Sequence, residues 1–97
     1  MTDIRQKRLA ELLVNYSTEV QPGEWVGILG DVNALPVLRQ VYEAVVKAGG
    51  YPSLMLGDEY MTRSFLRDAN DEQIAWVDPS SKLYYENADV YIRIGAP

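Results

Sequence analysis

The spacing of apolar residues in the first part of the chain indicates an amphipathic helix. In residues 4–17, apolar side chains recur three and four positions apart. The expected buried face consists of Leu9, Leu12, Leu13 and Tyr16. The expected solvent face carries Arg5, Lys7, Arg8 and Glu11. Asp3 and Gln6 have the spacing of a capping pair, so we expect the helix to begin directly after Asp3.

Three shorter apolar runs, at residues 24–29, 52–56 and 90–94, predict strands. The near-continuous apolar character of the first run is typical of a parallel strand that is covered on both faces. Helices are predicted at residues 34–48, 59–68 and 79–87, with a short helical turn at residues 72–77. Gly49-Gly50 is a helix stop signal, and Asp78-Pro79 is a helix start signal.

The two middle helices are expected to contribute their apolar residues to the core. For the helix at residues 34–48 these are Leu35, Leu38, Val41, Tyr42 and Val45. For the helix at residues 59–68 they are Met61, Phe65 and Leu66. The aromatic residues expected to pack in the core or between domains are Trp25, Trp76, Tyr84, Tyr85 and Tyr91.

Strands that alternate with helical segments predict a small three-layer α/β domain with a short, mainly parallel sheet of about three strands. The last strand is followed only by Gly95, Ala96 and Pro97, so no helix would cover it. Native proteins usually avoid a bare parallel sheet. We therefore expect residues 1–97 to be one α/β domain of a longer protein.

Composition narrows the possible functions. The 97 residues carry a net charge of −5 without a cluster of Lys and Arg, so a nucleic-acid partner is not expected. No apolar run approaches the ~18 residues of a membrane helix, and the N-terminus has no signal-peptide pattern, so we expect a cytoplasmic protein without a membrane partner. The sequence contains neither Cys nor His, which excludes a Ser-His-Asp triad, a Cys nucleophile and any His- or Cys-ligated zinc site within it.

The segment GILGD, residues 27–31, raises the question of phosphate binding because a glycine turn joins a strand to a helix. It matches neither the dinucleotide fingerprint G-x-G-x-x-G nor the P-loop. Asp31 would also place a negative charge where a phosphate would bind. We interpret Gly30 as a residue that relaxes the turn, and Asp31 or Asn33 as a helix cap.

Acidic residues follow the first two strands. Asp31, Asp58 and Glu59 should lie at one edge of a parallel sheet, where ligands tend to bind. Together they could hold Mg²⁺ or form a phosphoacceptor-like site, although carboxylates at helix starts are more often caps.

Arg93 is a charged residue near the end of the last predicted strand, where a parallel strand packed on both faces would not be expected to carry a charge. It lies with Tyr91 on the side of the last strand opposite Val90, Ile92 and Ile94. It could bind a carboxylate, contact a missing domain or extend into water.

Four segments, in this order and spacing, carry a family resemblance across the chain: LAELLVNYSTEVQPGEWVGILG, AVVKAGGYPSLML, FLRDANDEQIAWVDP and ENADVYIRIGAP. They resemble the N-terminal domain of the thermophilic metalloprotease family of aminopeptidases, of the aminopeptidase T and aminopeptidase S type. Members typically have a helix ending in Leu-Leu-Val-x-Tyr-Ser and then a Pro-Gly-Glu turn into a strand. Here these are residues 12–17 and 22–24.

The resemblance implies the truncated N-terminal domain of a two-domain enzyme that removes N-terminal amino acids from peptides. It implies two divalent metal ions, Zn, Co or Mn, held by Glu, His and Asp of a missing C-terminal catalytic domain, and a homodimer. No metal ligand or catalytic residue carries over to these 97 residues, and we expect them to be inactive alone. In the whole enzyme they would help to form the substrate cleft, with Arg93 as the candidate contact.

The residues themselves leave two alternative functions open. One is a self-contained α/β binding or regulatory domain that uses the acidic strand edge for Mg²⁺ or phosphate. The other is a dimerisation element.

Overall fold

The computed structural model describes residues 4–95. Its elements follow the predicted order, with ends that differ from prediction by a few residues at most. They are α1 Ile4–Leu12, which continues into a π-helical turn Leu13–Ser17, β1 Trp25–Asp31, a 3₁₀ turn Val32–Ala34, α2 Leu35–Lys47, β2 Tyr51–Gly57, α3 Glu59–Asp68, α4 Asp71–Ala75, α5 Pro79–Asn87 and β3 Val90–Ile94. Asp3, the predicted first cap, lies outside the described residues.

The three strands form one parallel sheet in the order β2-β1-β3. The prediction of a small parallel α/β sheet is therefore confirmed. Backbone and side chain together fix the start of β3 beside β1: the Trp25 N–H donates to Asp89 Oδ2 at 2.8 Å, and the Asp89 N–H donates to the Trp25 carbonyl at 2.9 Å. No helix of the described chain is both long and apolar enough to span a membrane.

The register divides the sheet into two faces. Residues paired between parallel strands share a face, so Val26, Ile28 and Gly30 of β1 lie on the same side as Ile92 of β3. A Cβ atom at Gly30 would meet the Leu38 side chain, which identifies this side as the one that α2 covers. We call it the helix-covered face. The opposite side, which carries Leu29, Met55 and Arg93, is the open face.

The core lies on the helix-covered face and in the elements that cover it. Eleven hydrophobic residues of the described chain are buried: Ala10, Val14, Val20, Val26, Ile28, Ala34, Leu38, Val41, Ala44, Val45 and Ile92. Complete burial of a Val, Leu or Ile side chain contributes about 1.5–3 kcal/mol, so this cluster is the main source of stability. None of these residues belongs to α3, α4 or α5.

The predicted buried face of α1 is wrong. Leu9, Leu12 and Tyr16 are 59%, 53% and 75% exposed, and Leu13 is half-buried, whereas Ala10 and Val14 enter the core. Two structural features explain the shift. Small Ala10 allows α1 to approach α2 closely, and the π-helical turn after Leu12 changes the angular spacing of the residues that follow.

The predicted solvent face of α1 is also only partly right. Arg5 and Arg8 are exposed, but Lys7 and Glu11 are half-buried. These two side chains line a shallow groove against α2 together with Ala44 and Lys47. Charged side chains with long apolar stems can pack in this way while their charges stay in water.

In α2, the expected core positions Leu38, Val41 and Val45 are confirmed, and Leu35 is half-buried. Tyr42 is exposed, and Ala44 is buried instead, because small Ala44 faces α1.

In α3, the prediction that Met61, Phe65 and Leu66 are core anchors is wrong, since all three are exposed. The helix itself forms where predicted, so the error concerns what lies over it. No apolar surface within residues 4–95 buries this side of α3.

Aromatic residues from α5 partly cover the open face near the start of the strands. Tyr84 packs against Trp25 with ring centroids 5.5 Å apart, and Tyr85 stacks on Tyr91 at 4.9 Å. The Trp25 indole N–H donates to Ser53 Oγ at 3.0 Å. Trp25, Tyr84 and Tyr91 are half-buried and pack as predicted, whereas Tyr85 and Trp76 are 66% and 63% exposed.

The Tyr91 hydroxyl is buried and forms no hydrogen bond of good geometry to any described residue. Burial, followed by the effect of the nearby Tyr85 hydroxyl, raises the pKa of Tyr91 to about 12. The phenol is therefore neutral at physiological pH and serves as a packing group.

The molecule is less compact than is usual for a domain of its length. Its surface measures 7023 Å², whereas a compact monomer of 11.0 kDa has about 5,600 Å². Its radius of gyration is 15.0 Å, against about 12.5 Å for a compact domain of this length. Much of the excess is apolar, because the exposed large hydrophobic residues of the α3–α5 segment include Tyr60, Met61, Leu66, Ile74, Trp76, Val77 and Leu83.

Gly30 has a different role from the one expected. It lies within β1, which ends at Asp31, and the turn begins at Val32. A Cβ atom there would lie 2.5 Å from Leu38 Cδ2, and Leu38 is fully buried and cannot swing away. Glycine is required at this position because α2 packs so closely on β1. The stop at Gly49, by contrast, is confirmed, since its φ of 86° is a left-handed conformation that favours glycine.

We predict that Gly30→Ala destabilises the protein by about 1–3 kcal/mol, because the added methyl group overpacks the contact with Leu38. Gly57→Ala is the matched control. It also changes a strand glycine, but its Cβ atom would meet nothing closer than the Gly30 carbonyl at 3.7 Å. Urea unfolding followed by circular dichroism measures both. Equal losses of stability in the two variants would contradict the close packing at Gly30.

Candidate functional site

A cleft of about 370 Å³ opens at the carboxyl ends of the three strands, between the sheet and the start of α3. Its apolar wall includes Leu29 and Met55 from the open face and Ile94 from the end of β3. The carboxyl ends of parallel strands are where ligands of open α/β sheets usually bind.

The cleft brings together all four charged residues that the sequence indicated. Asp31 follows β1, Asp58 and Glu59 follow β2, and Arg93 comes from β3. The structure therefore places the predicted acidic edge and the candidate arginine in one site. Pocket-sized clefts for small organic ligands begin at about 300 Å³, so the space is sufficient for a ligand of one or two amino-acid residues.

The three carboxylates each have a partner within the chain. Asp31 Oδ1 accepts a hydrogen bond from the Asn33 N–H at 2.8 Å, and Asp58 Oδ1 accepts one from the Tyr60 N–H at 3.1 Å. Glu59 pairs with Arg63 one helical turn later, at 2.6 Å. The cap interpretation is thus confirmed for Asp31, which begins the turn into α2, and Asn33 is not the cap.

These contacts also bear on cation and phosphate binding. Within residues 4–95, no three acidic side chains lie close enough together to form a metal-binding group. The Asp31 carboxylate occupies the helix entrance that a phosphate cradle would leave free. The described residues therefore do not fit a metal centre.

Arg93 differs from the other charged residues of the cleft. It is exposed on the open face, where it is paired in register with Leu29. It forms no hydrogen bond or ion pair with any residue of the described range, whereas Arg63 and Arg67 both bind neighbouring carboxylates. Its guanidinium group is therefore available to a ligand or to another polypeptide.

The apolar wall of the cleft was not singled out from the sequence. A signal was present, because strand periodicity places Leu29 on the same face as Asp31. Met55 could be assigned to that face only once the β1–β2 register was known, since a shift of one residue reverses the side to which every side chain points.

Comparison with known proteins places the chain in a family. The family model of the thermophilic metalloproteases (M29) matches residues 2–97. The chain belongs to the thermophilic metalloprotease family. The resemblance seen in the sequence is therefore confirmed, and the chain is a domain of the peptidase type.

A solved structure has a similar fold. It is wild-type AmpT from Thermus thermophilus, with a TM-score of 0.64 and 23% sequence identity. The match covers 71% of this chain but 18% of AmpT, so the chain spans less than a fifth of the length of that protein. No curated protein matches the chain significantly.

We predict that Mg²⁺ does not bind at the strand edge with useful affinity, because the carboxylates there act as caps or are already paired. The measurement is a titration followed by ¹H–¹⁵N NMR. Saturable shifts centred on Asp31, Asp58 and Glu59 at about 1 mM Mg²⁺ would contradict this prediction and favour the binding-domain alternative.

Proposed function

We propose that this chain is the N-terminal, non-catalytic domain of a metal-dependent aminopeptidase that removes N-terminal amino acids from peptides. Membership of the thermophilic metalloprotease family over residues 2–97 is the observation that carries this proposal. The absence of His and Cys from the sequence supports a non-catalytic role, since the usual metal-binding and nucleophilic side chains are lacking.

The open face is the side on which we place the missing C-terminal catalytic domain. All the buried hydrophobic residues lie with the helix-covered face, its helices and the loop before β1, whereas α3–α5 expose many large apolar side chains. The accessible surface of the molecule is about 1,400 Å² larger than that of a compact monomer of this mass. Exposed apolar surface of this extent is typical of a protein–protein or interdomain interface. Burial of this surface by a second domain would supply the stabilisation that α3–α5 lack here.

In this arrangement the domain forms one wall of the substrate cleft, and Arg93 is our candidate contact to the substrate. The two divalent ions, Zn, Co or Mn, would be held by the catalytic domain. We further propose that the whole enzyme is a cytoplasmic homodimer that acts on peptides.

We predict that the 97-residue chain gives no turnover of a leucyl reporter substrate with Co²⁺, Mn²⁺ or Zn²⁺, because it contains no His or Cys and its acidic side chains form no metal-binding group within residues 4–95. Release of the chromophore is followed by absorbance, with the full-length gene product as the positive control. Metal-dependent turnover by the 97 residues alone would overturn the non-catalytic role. A full-length protein without peptidase activity would overturn the proposed function itself.

A further inference from the structure

We propose that the cleft binds an organic carboxylate with an adjacent apolar side chain, such as a free amino acid or the C-terminal residue of a short peptide, and that Arg93 binds the carboxylate. This inference rests on the proposed function, since it names the part of the substrate or product that meets this domain. The observations behind it are the cleft volume, its apolar wall and the state of its four charged groups.

Among the four charged residues of the cleft, Arg93 alone has no hydrogen-bond or ion-pair partner within residues 4–95, although the cleft contains more acidic residues than basic ones. Asp31 and Asp58 each accept a backbone N–H, and Glu59 is paired with Arg63. Arg93 is the lining cation without a partner in the described chain. Arg93 can therefore form charge-assisted hydrogen bonds with an anionic group of a ligand without first breaking a contact within the chain.

A carboxylate suits this site better than a phosphate. The guanidinium fork matches the two oxygens of a carboxylate, with which it forms parallel charge-assisted hydrogen bonds. A phosphate carries up to two negative charges and would lie close to three acidic side chains on a protein of net charge −5. Repulsion penalises the doubly charged anion more than the singly charged one.

The apolar wall defines the rest of the ligand. Leu29 and Met55 lie beside each other in register on adjacent strands, and Leu29 is also paired with Arg93 on its other side. A ligand whose carboxylate meets Arg93 thus has apolar surface within reach of its neighbouring side chain. Methionine adapts to different shapes, so the wall suits several apolar side chains.

A functional consequence follows for the whole enzyme. A peptide held by its C-terminal carboxylate at this domain places its N-terminus in the catalytic domain only if its length matches the distance between the two sites, and the cleft of about 370 Å³ has room for one or two residues. Arg93 would therefore favour short peptides over long ones, and its loss would affect KM for short substrates more than kcat.

The test is a ¹H–¹⁵N NMR titration of the 97-residue chain with three small ligands. N-acetyl-leucine represents the C-terminal residue of a peptide, leucine represents a free amino acid, and N-acetyl-leucinamide is the same apolar group without the carboxylate. We expect at least one of the two carboxylates to shift the amides of Leu29, Met55 and Arg93, with a dissociation constant on the order of 1–10 mM for a ligand of this size. The carboxylate ligand that binds more tightly identifies whether the natural ligand is a peptide C-terminus or a free amino acid. N-acetyl-leucinamide should bind at least about tenfold more weakly than that ligand.

Two variants assign the effect to the arginine. Arg93→Gln should weaken carboxylate binding by about tenfold or more, because it removes the charge-assisted hydrogen bonds. Arg39→Gln, an exposed arginine of α2 that does not line the cleft, is the matched control and should leave binding unchanged. The dispersion of the NMR spectrum shows whether each variant is folded.

Several results would overturn the proposal: no cleft shifts with either carboxylate at about 20 mM, equal binding of the amide, equal shifts with inorganic phosphate, or no effect of Arg93→Gln. Because the titration does not measure activity, its failure would leave the aminopeptidase assignment standing. Conversely, carboxylate binding by this chain together with an inactive full-length protein would overturn only the enzyme assignment.

Discussion

The close packing of α2 against β1 is the contact on which the rest of the structure depends. Leu38 occupies the space that a side chain at Gly30 would need, and this brings the apolar side of α2 down onto the central strand. β2 and β3 both pair with β1, and α1 packs on α2, so each of these elements is positioned through this one contact. A glycine that could be mistaken for part of a phosphate-binding turn is therefore a packing residue of the core.

The two faces of the sheet differ in how much buried apolar surface stabilises them. The helix-covered face has a continuous core, whereas α3, α4 and α5 have no buried residue. Local interactions define these helices instead. Asp58 and Asp78 cap α3 and α5, and Asn70 and Gln73 form a reciprocal capping box at α4. Each cap contributes on the order of 1 kcal/mol. This stabilises the helix itself but does not hold the helix against the rest of the protein. The cleft and Arg93 also lie on the open face. The candidate site is therefore on the side of the sheet that lacks a buried core within residues 4–95.

The elements of this fold could be predicted from the sequence because their signals are local. Asp78-Pro79, Gly49-Gly50 and the apolar strand runs depend on neighbouring residues alone, and the structure places helix and strand ends close to them. Burial could be predicted less well, since it depends on what packs over each surface. Leu9 and Phe65 have the right periodicity but no covering partner within residues 4–95, and Ala10 and Ala44 are buried because small residues allow two helices to approach. For the site, strand order placed the acids and Arg93 at one edge. Their hydrogen bonds, which leave Arg93 as the available charge, required three-dimensional geometry.

The helix-covered face is stabilised by its own core, whereas α3 and α4 are stabilised mainly by local contacts, and we expect this difference to appear in their local stability. Native-state hydrogen exchange of the 97-residue chain tests it most directly. We expect amides of β1 and α2 to exchange only through global unfolding, and those of α3 and α4 to exchange through local opening with a much smaller free energy. Protection of α3 and α4 equal to that of α2 would contradict this expectation, because it would show that the exposed segment is as stable as the core.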